Sequence, residues 1–174
     1  LLLLASADSD NGSAELTQFE VDTLLLQLFE SYELLCKAKS IRLTLKLPEE
    51  FLPKVFGNPQ WCRQILTIFL DNAIAYGCPF NPDAPSMPVL LIQAEHTGKE
   101  IVLSITDHGP GIPDEQKAQV FDRFYRADTS RNKKEHFGLG LSIAQTLAQQ
   151  MNARIELTDA NGSGTIFRLC FPVS

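Results

Sequence analysis

The strand pattern at residues 101–107 most constrains how this chain can fold. Ile101, Leu103 and Ile105 alternate with residues of the opposite face, so a sheet would bury these three side chains on one side. Asp107 continues the same row, and an ionised carboxylate on a core-facing row is costly unless a hydrogen-bond donor meets it. The ring amino group of adenine is one such donor, and a cap on the following turn is the alternative. The pattern therefore predicts a buried strand that ends in a ligand-binding or turn-capping carboxylate.

A second polar residue lies on the apolar face of the helix that is expected at residues 59–76. Asn58 and Pro59 suit the first positions of a helix, and Gly77 suits its end. Asn72 follows Ile68 by four residues and therefore shares its face. A buried amide without partners costs about 1–3 kcal/mol. Asn72 is thus expected to bind a neighbouring backbone group, a metal or a ligand.

Two glycine pairs lie in segments that connect the predicted elements. Gly109 and Gly111 follow Asp107, where glycine allows either close approach to a ligand or a plain turn. Gly138 and Gly140 precede an apolar helical pattern, and free amides at a helix N-terminus can hold phosphates. The segment before the second pair is either a phosphate-facing basic cluster or a solvated charged loop. Its basic residues are Arg123, Arg126, Arg131, Lys133 and Lys134.

The composition narrows the class of protein. The chain has 174 residues, of which 44% are hydrophobic and 21% charged, and this length suits one globular domain. Its net charge of −6 argues against a general nucleic-acid binder. The 4 cysteines form no CxxC pair, which favours reduced and mostly buried thiols. No apolar run approaches the roughly 20 residues that a membrane-spanning helix needs.

Apolar periodicity and turn residues predict an alternation of strands and helices. A polar segment at residues 8–14 separates a leucine-rich stub from the rest. We therefore divide the chain into residues 1–14, the end of a helix with a linker, and residues 15–174, the main domain. Strands are expected at residues 16–21, 41–47, 54–56, 89–95, 100–107, 153–158 and 164–171. Helices are expected after Asp22 as N-cap and over residues 59–76, 114–120 and 138–151.

Five segments, taken in their order along the chain, resemble the motifs of the ATP-binding catalytic domain of sensor histidine kinases, of the GHKL or HATPase superfamily. They are residues 70–73 (Leu-Asp-Asn-Ala, the N box), 107–112 (Asp-His-Gly-Pro-Gly-Ile, the first glycine box), 120–126 (the phenylalanine box), 137–143 (the second glycine box) and 164–167 (Gly-Thr-Ile-Phe). The resemblance covers nearly all of residues 16–174. It implies the Bergerat fold: α+β, a two-layer α/β sandwich in which a mixed sheet carries three main helices on one face.

The resemblance also implies roles for single residues. Asn72 is implied as the ligand of a magnesium ion that bridges the ATP phosphates, and Asp107 as the carboxylate that reads adenine. Arg126 is implied as a catalytic residue that faces the γ-phosphate, within a lid at residues 121–137. The other implied ATP-binding residues are Tyr76, Gly109, Gly111, Ile112 and Thr165 around the base, Phe121 in the lid, and Gly138, Leu139, Gly140 and Leu141 around the phosphates.

The function implied by the resemblance is transfer of the ATP γ-phosphate to a histidine on a dimerisation helix, whose end the first residues of the chain resemble. The acceptor is absent here, because His96, His108 and His136 fall in predicted loops or strand ends. The implied ligands are ATP and Mg²⁺. The implied partners are the phosphoacceptor helix of the same protein, a response regulator and a second copy of the parent protein. The resemblance implies a cytoplasmic domain and leaves open whether the parent is anchored in the inner membrane.

Two positions depart from the family pattern. Ile68 stands where the family usually has a polar residue, and Ala75 where it often has a lysine that touches phosphate. Loss of one such cation costs about 1–3 kcal/mol of charge-assisted bonding. These departures keep open a second interpretation, a nucleotide sensor without kinase activity. A third, a clamp ATPase of the gyrase or chaperone type, is disfavoured by the phenylalanine box and by Ile68, because those enzymes usually have a catalytic glutamate at that position.

Overall fold

Three long helices dominate the helical part of the chain. The computed structural model describes the backbone of residues 15–122 and 136–173 and the side chains of residues 15–122 and 140–173. The long helices are α1, Val21–Ala38; α2, Pro59–Tyr76; and α4, His136–Gln150. Between α2 and α4 lie the short helix α3, Asp114–Lys117, and a 3-10 turn, Gln119–Phe121.

The strands of the described residues form two sheets. β1, Thr17–Phe19, pairs antiparallel with β3, Val55–Gly57, in a small two-stranded sheet. The main sheet has five strands in the order β2-β4-β5-β7-β6. Their bounds are β2, Arg42–Lys46; β4, Val89–His96; β5, Glu100–Thr106; β6, Arg154–Asp159; and β7, Thr165–Pro172.

The main sheet is mixed, because β2 runs parallel to β4 whereas each other neighbouring pair is antiparallel. Alternate strand residues point towards the helices, as in the predicted row Ile101, Leu103 and Ile105, none of which is more than 1% exposed. They pack with the apolar faces of the three long helices in one core. The predicted α+β class, a two-layer sandwich with a mixed sheet and three main helices, is confirmed.

The position of α2 follows from its sequence. Asn58 caps the helix, since its Oδ1 accepts a hydrogen bond from Trp61 N at 3.1 Å. Pro59 occupies the first turn, where no backbone donor is needed. The helix ends one residue before Gly77, as predicted. Asn72 therefore lies one turn from the C-terminal end of α2.

Two helix starts differ from the prediction. Asp22 is not the N-cap of α1, because the helix begins at the buried residue Val21, after Glu20, which makes no side-chain capping bond. The preceding strand is correspondingly shorter than expected. α4 begins at His136, which was expected in a loop, rather than at Gly138. Glycine inside a helix costs only about 1 kcal/mol relative to alanine, so a glycine pair does not define a helix start.

The turn after α4 uses asparagine where glycine commonly ends a helix. Asn152 has a φ of 56°, in the left-handed region that asparagine adopts more readily than most residues. Ala153 N then donates to Ala148 O at 2.9 Å and closes the turn. The chain thereby reverses into β6 without a glycine.

All four cysteines lie in the described residues and are free thiols. Cys36, Cys62 and Cys170 are buried and Cys78 is half-buried. Burial raises the pKa of Cys170 to about 11 and, as the largest cause, that of Cys78 to about 12. Among the described residues, no helix combines the length and the apolar character that a membrane span requires.

Candidate functional site

An open hollow of about 2080 Å³ lies at the C-terminal ends of α1 and α2. The segment after β5 and the loop at residues 77–88 form its other sides. Asn72 from α2, Asp107 from the end of β5 and Thr165 from the start of β7 all line it. The fold thus brings together polar residues that are distant in the sequence.

Asp107 is 4% exposed and continues the core-facing row of β5, as predicted. Its Oδ1 accepts a hydrogen bond from Gly109 N at 3.0 Å, so this oxygen also caps the following turn. Burial raises the pKa of the carboxyl above its usual value, whereas backbone hydrogen bonds from Gly109 and Thr165 and the neighbouring His108 oppose the rise. A ligand N–H in the hollow would therefore meet a carboxylate that has lost much of its hydration.

The turn after Asp107 packs against the residue that precedes β7. Gly111 and Gly164 have φ values of 79° and 122°, which favour glycine. A Cβ on Gly111 would lie 3.4 Å from Gly164 O, so the two backbones are in close contact. The Ser163 hydroxyl donates to Gly109 O at 2.5 Å and joins them further. The first glycine box and the final glycine-threonine segment therefore form one wall of the hollow.

Asn72 is 8% exposed, and its Nδ2 has no hydrogen-bond partner among the described residues. An amide in this state costs about 1–3 kcal/mol unless a ligand satisfies it. Its donor set fits a nucleotide with a magnesium ion, since the amide oxygen is a hard ligand and Nδ2 can donate to a phosphate oxygen. In the described part of the chain, no group of three or more histidine, cysteine, aspartate or glutamate side chains could hold a metal.

Asp71, the neighbour of Asn72, also lines the hollow and is tied to α1. The Tyr32 hydroxyl donates to Asp71 Oδ1 at 2.7 Å. Burial of the phenol, followed by this hydrogen bond, raises the pKa of Tyr32 well above its usual value, so the hydroxyl remains a donor. The bond fixes α1 to α2 one residue away from Asn72.

The structure brings together the predicted site residues that lie in α2, after β5 and at the start of β7. Seven predicted ATP-binding residues line the hollow: Asn72, Tyr76, Asp107, Gly109, Gly111, Ile112 and Thr165. Phe121, Gly140 and Leu141 do not line it, and Leu141 is fully buried in the core while Phe121 packs against that core. Arg126 lies outside the described residues, and only the backbone of Gly138 and Leu139, within α4, is described.

The two departures from the family pattern occupy different surroundings. Ile68 packs towards α4, because a Cβ on Gly140 would lie 3.3 Å from Ile68 Cγ2. Gly140 therefore has a packing role in addition to the predicted phosphate contact. Ala75 is exposed and lines the hollow. Among the described lining residues, Lys39 at the end of α1 is the one lysine or arginine.

The loop at residues 77–88 is part of the site, although its prolines indicated only a connecting loop. Gly77 and Cys78 line the hollow close to Asp107, which contributes to the raised pKa of the Cys78 thiol. Phe80 is 91% exposed at the rim. No local pattern signals these contacts, because they join segments separated by β4 and β5.

Comparison with known proteins gives the family. A profile described as "Histidine kinase-, DNA gyrase B-, and HSP90-like ATPase" matches residues 57–174. The adaptive-response sensory kinase SasA of Crocosphaera subtropica is 28% identical over 173 residues, which are 98% of this chain and 43% of SasA. The signal transduction histidine-protein kinase ArlS of Staphylococcus aureus is 37% identical over 115 residues, which are 66% of this chain and 24% of ArlS. The chain therefore spans less than half the length of either relative.

Solved histidine kinases share the fold. The nucleotide-free catalytic domain of ThkA matches with a TM-score of 0.74 and 23% identity over 91% of this chain and 95% of the ThkA chain. Full-length ShkA in complex with AMPPNP matches with a TM-score of 0.73 and 24% sequence identity. The match covers 91% of this chain and 32% of the ShkA chain. ThkA in complex with the response regulator TrrA matches with a TM-score of 0.70 and 20% sequence identity. The match covers 91% of this chain and 42% of the matched chain.

The profile match covers more than half of the chain and contains all five motifs, from the N box at residues 70–73 to the segment at 164–167. The relatives found by sequence are named as sensory or histidine kinases, and the structural neighbours have the same two-layer architecture. The resemblance read from the motifs is confirmed, and the chain belongs to the family of histidine kinase-, DNA gyrase B- and HSP90-like ATPases.

Proposed function

We propose that this chain is the ATP-binding catalytic domain of a sensor histidine kinase and donates the ATP γ-phosphate to a histidine on a dimerisation helix. The carrying observation is that Asn72 and Asp107, both buried and polar, line one hollow. Neither is fully explained by partners within the fold, because the Asn72 Nδ2 has none and burial disfavours the Asp107 charge. We further propose that residues 1–14 are the end of that helix with its linker, and residues 15–174 the catalytic domain.

The base-reading part of the proposal rests on Asp107. The carboxylate accepts the 6-amino group of adenine, whereas guanine presents a carbonyl oxygen at the same place and is disfavoured. Tyr76 stacks near the base and Thr165 reaches it through a water. Gly109, Gly111 and Ile112 line the remaining pocket. The lining positions of these residues support this assignment.

The metal part of the proposal rests on Asn72. Its amide oxygen would hold a magnesium ion, which when bound neutralises phosphate charge and helps to orient the γ-phosphate. Asn72 itself positions the phosphate chain, since its unpartnered Nδ2 can donate to a phosphate oxygen. A hard cation suits this amide better than a soft one.

The phosphate-binding part of the proposal rests on the start of α4. The first backbone N–H groups of α4 face the phosphates, where the positive end of the helix dipole favours negative charge. Of the implied residues Gly138, Leu139, Gly140 and Leu141, Gly138 lies in this first turn. Because α4 begins at His136, the N–H groups of Gly140 and Leu141 belong to the hydrogen bonds within the helix. The close contact of Gly140 with Ile68, one turn before Asn72, supports this because it sets the start of α4 beside the Asn72 region of α2. Phe121 begins the lid, and Arg126 stabilises the charge that develops on the transferred phosphoryl group.

The proposed partners follow from the kinase role. ThkA has been solved in complex with the response regulator TrrA, and ShkA in complex with AMPPNP, a nucleotide. We propose that the parent of this chain likewise uses a response regulator, that it is a homodimer, and that this domain lies in the cytoplasm.

Calorimetric titration with ATP, ADP and GTP, each with and without Mg²⁺, tests the proposal. We expect ATP and ADP to bind and GTP to bind at least about tenfold more weakly, the equivalent of one charge-assisted hydrogen bond. Mg²⁺ should tighten ATP binding. Equal affinities for GTP and ATP, or no binding of ATP, would contradict the assignment.

A nucleotide sensor without kinase activity is the second candidate, and Ala75 favours it. This exposed residue lines the hollow without a charge where related kinases often carry lysine. The test joins the chain to an intact acceptor helix and follows transfer of labelled γ-phosphate. Transfer to the acceptor histidine selects the kinase, and binding of ATP without transfer selects the sensor.

A further inference from the structure

Gly77, the residue that follows α2, has a backbone conformation open to any amino acid. Its φ of −90° and ψ of −10° lie in the right-handed helical region. Its N–H donates to Ala73 O at 2.8 Å, a bond that every residue except proline can form. The ending of the helix therefore does not explain why glycine stands here.

The space around Gly77 explains why this residue is glycine. A Cβ built on Gly77 would lie 2.3 Å from Asp107 Cγ, 2.5 Å from Oδ2 and 2.7 Å from Asp107 Cβ. Comfortable separations between carbon atoms are about 3.5–4.0 Å. The Asp107 carboxyl group thus rests directly on the Gly77 backbone, in the volume that any other side chain at position 77 would fill.

Two neighbouring glycines are also tightly packed, but against backbone. A Cβ on Gly109 would lie 2.5 Å from Gly77 O, and one on Gly164 would lie 2.0 Å from Asp107 O. Substitution at either position would displace the main chain. Among the described glycines, Gly77 alone would place its new atom against the Asp107 side chain.

We propose that Gly77 is a specificity-determining position of the purine site, because its missing side chain lets the Asp107 carboxylate sit where it can accept the 6-amino group of adenine. The inference rests on the proposed function, since it takes an adenine nucleotide as the ligand. Gly77 acts through Asp107 and is therefore a positioning residue. Because Asp107 is only 4% exposed, a methyl group added at position 77 can be accommodated in two ways. Either the carboxylate rotates into the hollow, or the C-terminal end of α2 moves away from it.

The test compares two nucleotides that differ at the 6-position. The 174-residue chain is titrated by calorimetry with ATP and with purine riboside 5′-triphosphate, which lacks the 6-amino group. The parent should prefer ATP by at least about tenfold, as expected for one charge-assisted hydrogen bond. Gly77→Ala should lose that preference and bind the two nucleotides within about twofold of each other. If Gly77→Ala keeps the parent's ratio, the proposal is wrong.

Gly57→Ala is the matched control. A Cβ on Gly57 would lie 3.1 Å from Met151 Sδ and 3.3 Å from a ring carbon of Phe171, so this glycine is tightly packed too. It lies in β3 and does not line the hollow. Gly57→Ala should lower Tm without changing the ratio between the two nucleotides. A changed ratio in this control would show that destabilisation alone alters selectivity, which overturns the role assigned to Gly77.

Thermal unfolding decides the matter if Gly77→Ala binds no nucleotide. Asp107→Gly removes Cβ, Cγ and Oδ2, the three nearest atoms, so Gly77→Ala should lower Tm by about half as much, or less, in that background as in the parent. Equal decreases in the two backgrounds would overturn the proposal. If the parent binds ATP and purine riboside 5′-triphosphate equally, Asp107 does not read adenine, and the proposed function is contradicted. The Tm values of the single and double variants would still show whether position 77 contacts Asp107.

Discussion

Asp107 and Thr165 exchange both backbone hydrogen bonds: Asp107 N donates to Thr165 O at 3.0 Å, and Thr165 N to Asp107 O at 3.2 Å. The pair extends the antiparallel register of β5 and β7 by one residue beyond β5. Both side chains are buried and line the hollow. The two proposed base contacts are therefore set by a sheet ladder, which is more rigid than a loop.

Thr165→Val should weaken ATP binding without unfolding the domain. The change removes the hydroxyl but keeps a β-branched side chain that suits a strand. We expect a loss of about 0.5–1.5 kcal/mol in binding free energy, the usual contribution of one hydrogen bond. The loss should be smaller in an Asp107→Asn background, because the two groups contact one base. Calorimetry measures each affinity.

Thr106→Val is the control for that substitution. Thr106 precedes Asp107, is also buried and does not line the hollow. Thr106→Val should therefore leave the ATP affinity unchanged. If Thr165→Val binds ATP as tightly as the parent, Thr165 has no part in reading the base.

The raised pKa of Asp107 makes stability depend on pH in a definite direction. Below the usual pKa near 3.8, both the folded and the unfolded state hold the proton. As pH rises, the unfolded chain releases it first, so the free energy of unfolding falls until the folded carboxyl has also ionised. Asp107→Asn lacks this titration. The parent should therefore lose stability relative to Asp107→Asn across the window that starts near pH 3.8 and ends above the raised pKa.

Urea unfolding of both proteins between about pH 4 and pH 7 measures that difference. His108 is replaced by glutamine in both proteins, because its charge interacts with the Asp107 carboxylate, which only the parent has. A difference that stays constant, or that grows in favour of the parent as pH rises, would show that burial does not dominate at Asp107.

Asn72→Ala should abolish the effect of Mg²⁺ on ATP affinity while leaving the domain folded. The Nδ2 atom makes no hydrogen bond among the described residues that the substitution could break. Titration with and without Mg²⁺ measures the effect, and Asn161→Ala, at an exposed turn, is the control. If Mg²⁺ still changes the ATP affinity of Asn72→Ala, then Asn72 is not the metal ligand.

The sequence predicted those elements of the site that leave a local pattern. Asp107 was visible because a carboxylate continued an apolar row, and Asn72 because an amide fell on an apolar helix face. The role of Gly77 could not be predicted, because a glycine after a helix normally indicates only where the helix ends. Its contact with Asp107 joins two residues that β4 and β5 separate in the sequence. The position of Lys39 at the hollow depends likewise on how α1 packs beside α2.

Ala75→Lys should tighten ATP binding. The residue is exposed, lines the hollow and lies one turn from Asn72, so a lysine there can reach a bound phosphate. We expect a gain of about 1–3 kcal/mol in binding free energy, less at high salt. Gln27→Lys, on the exposed face of α1 and away from the hollow, adds the same single charge and controls for net charge. Equal gains from the two variants would indicate only a general effect of charge.

Gly140→Ala and Ile68→Ala should be coupled in stability. Alanine normally exceeds glycine by about 1 kcal/mol in a helix, but here the new Cβ would meet Ile68 Cγ2 at 3.3 Å. The benefit should therefore be reduced or reversed in the parent and should appear in the Ile68→Ala background, where the contact is gone. Urea unfolding of the four proteins measures the coupling. If Gly140→Ala changes stability equally in both backgrounds, α2 and α4 do not meet at this pair, and the proposed position of the phosphate-binding turn beside Asn72 loses its support.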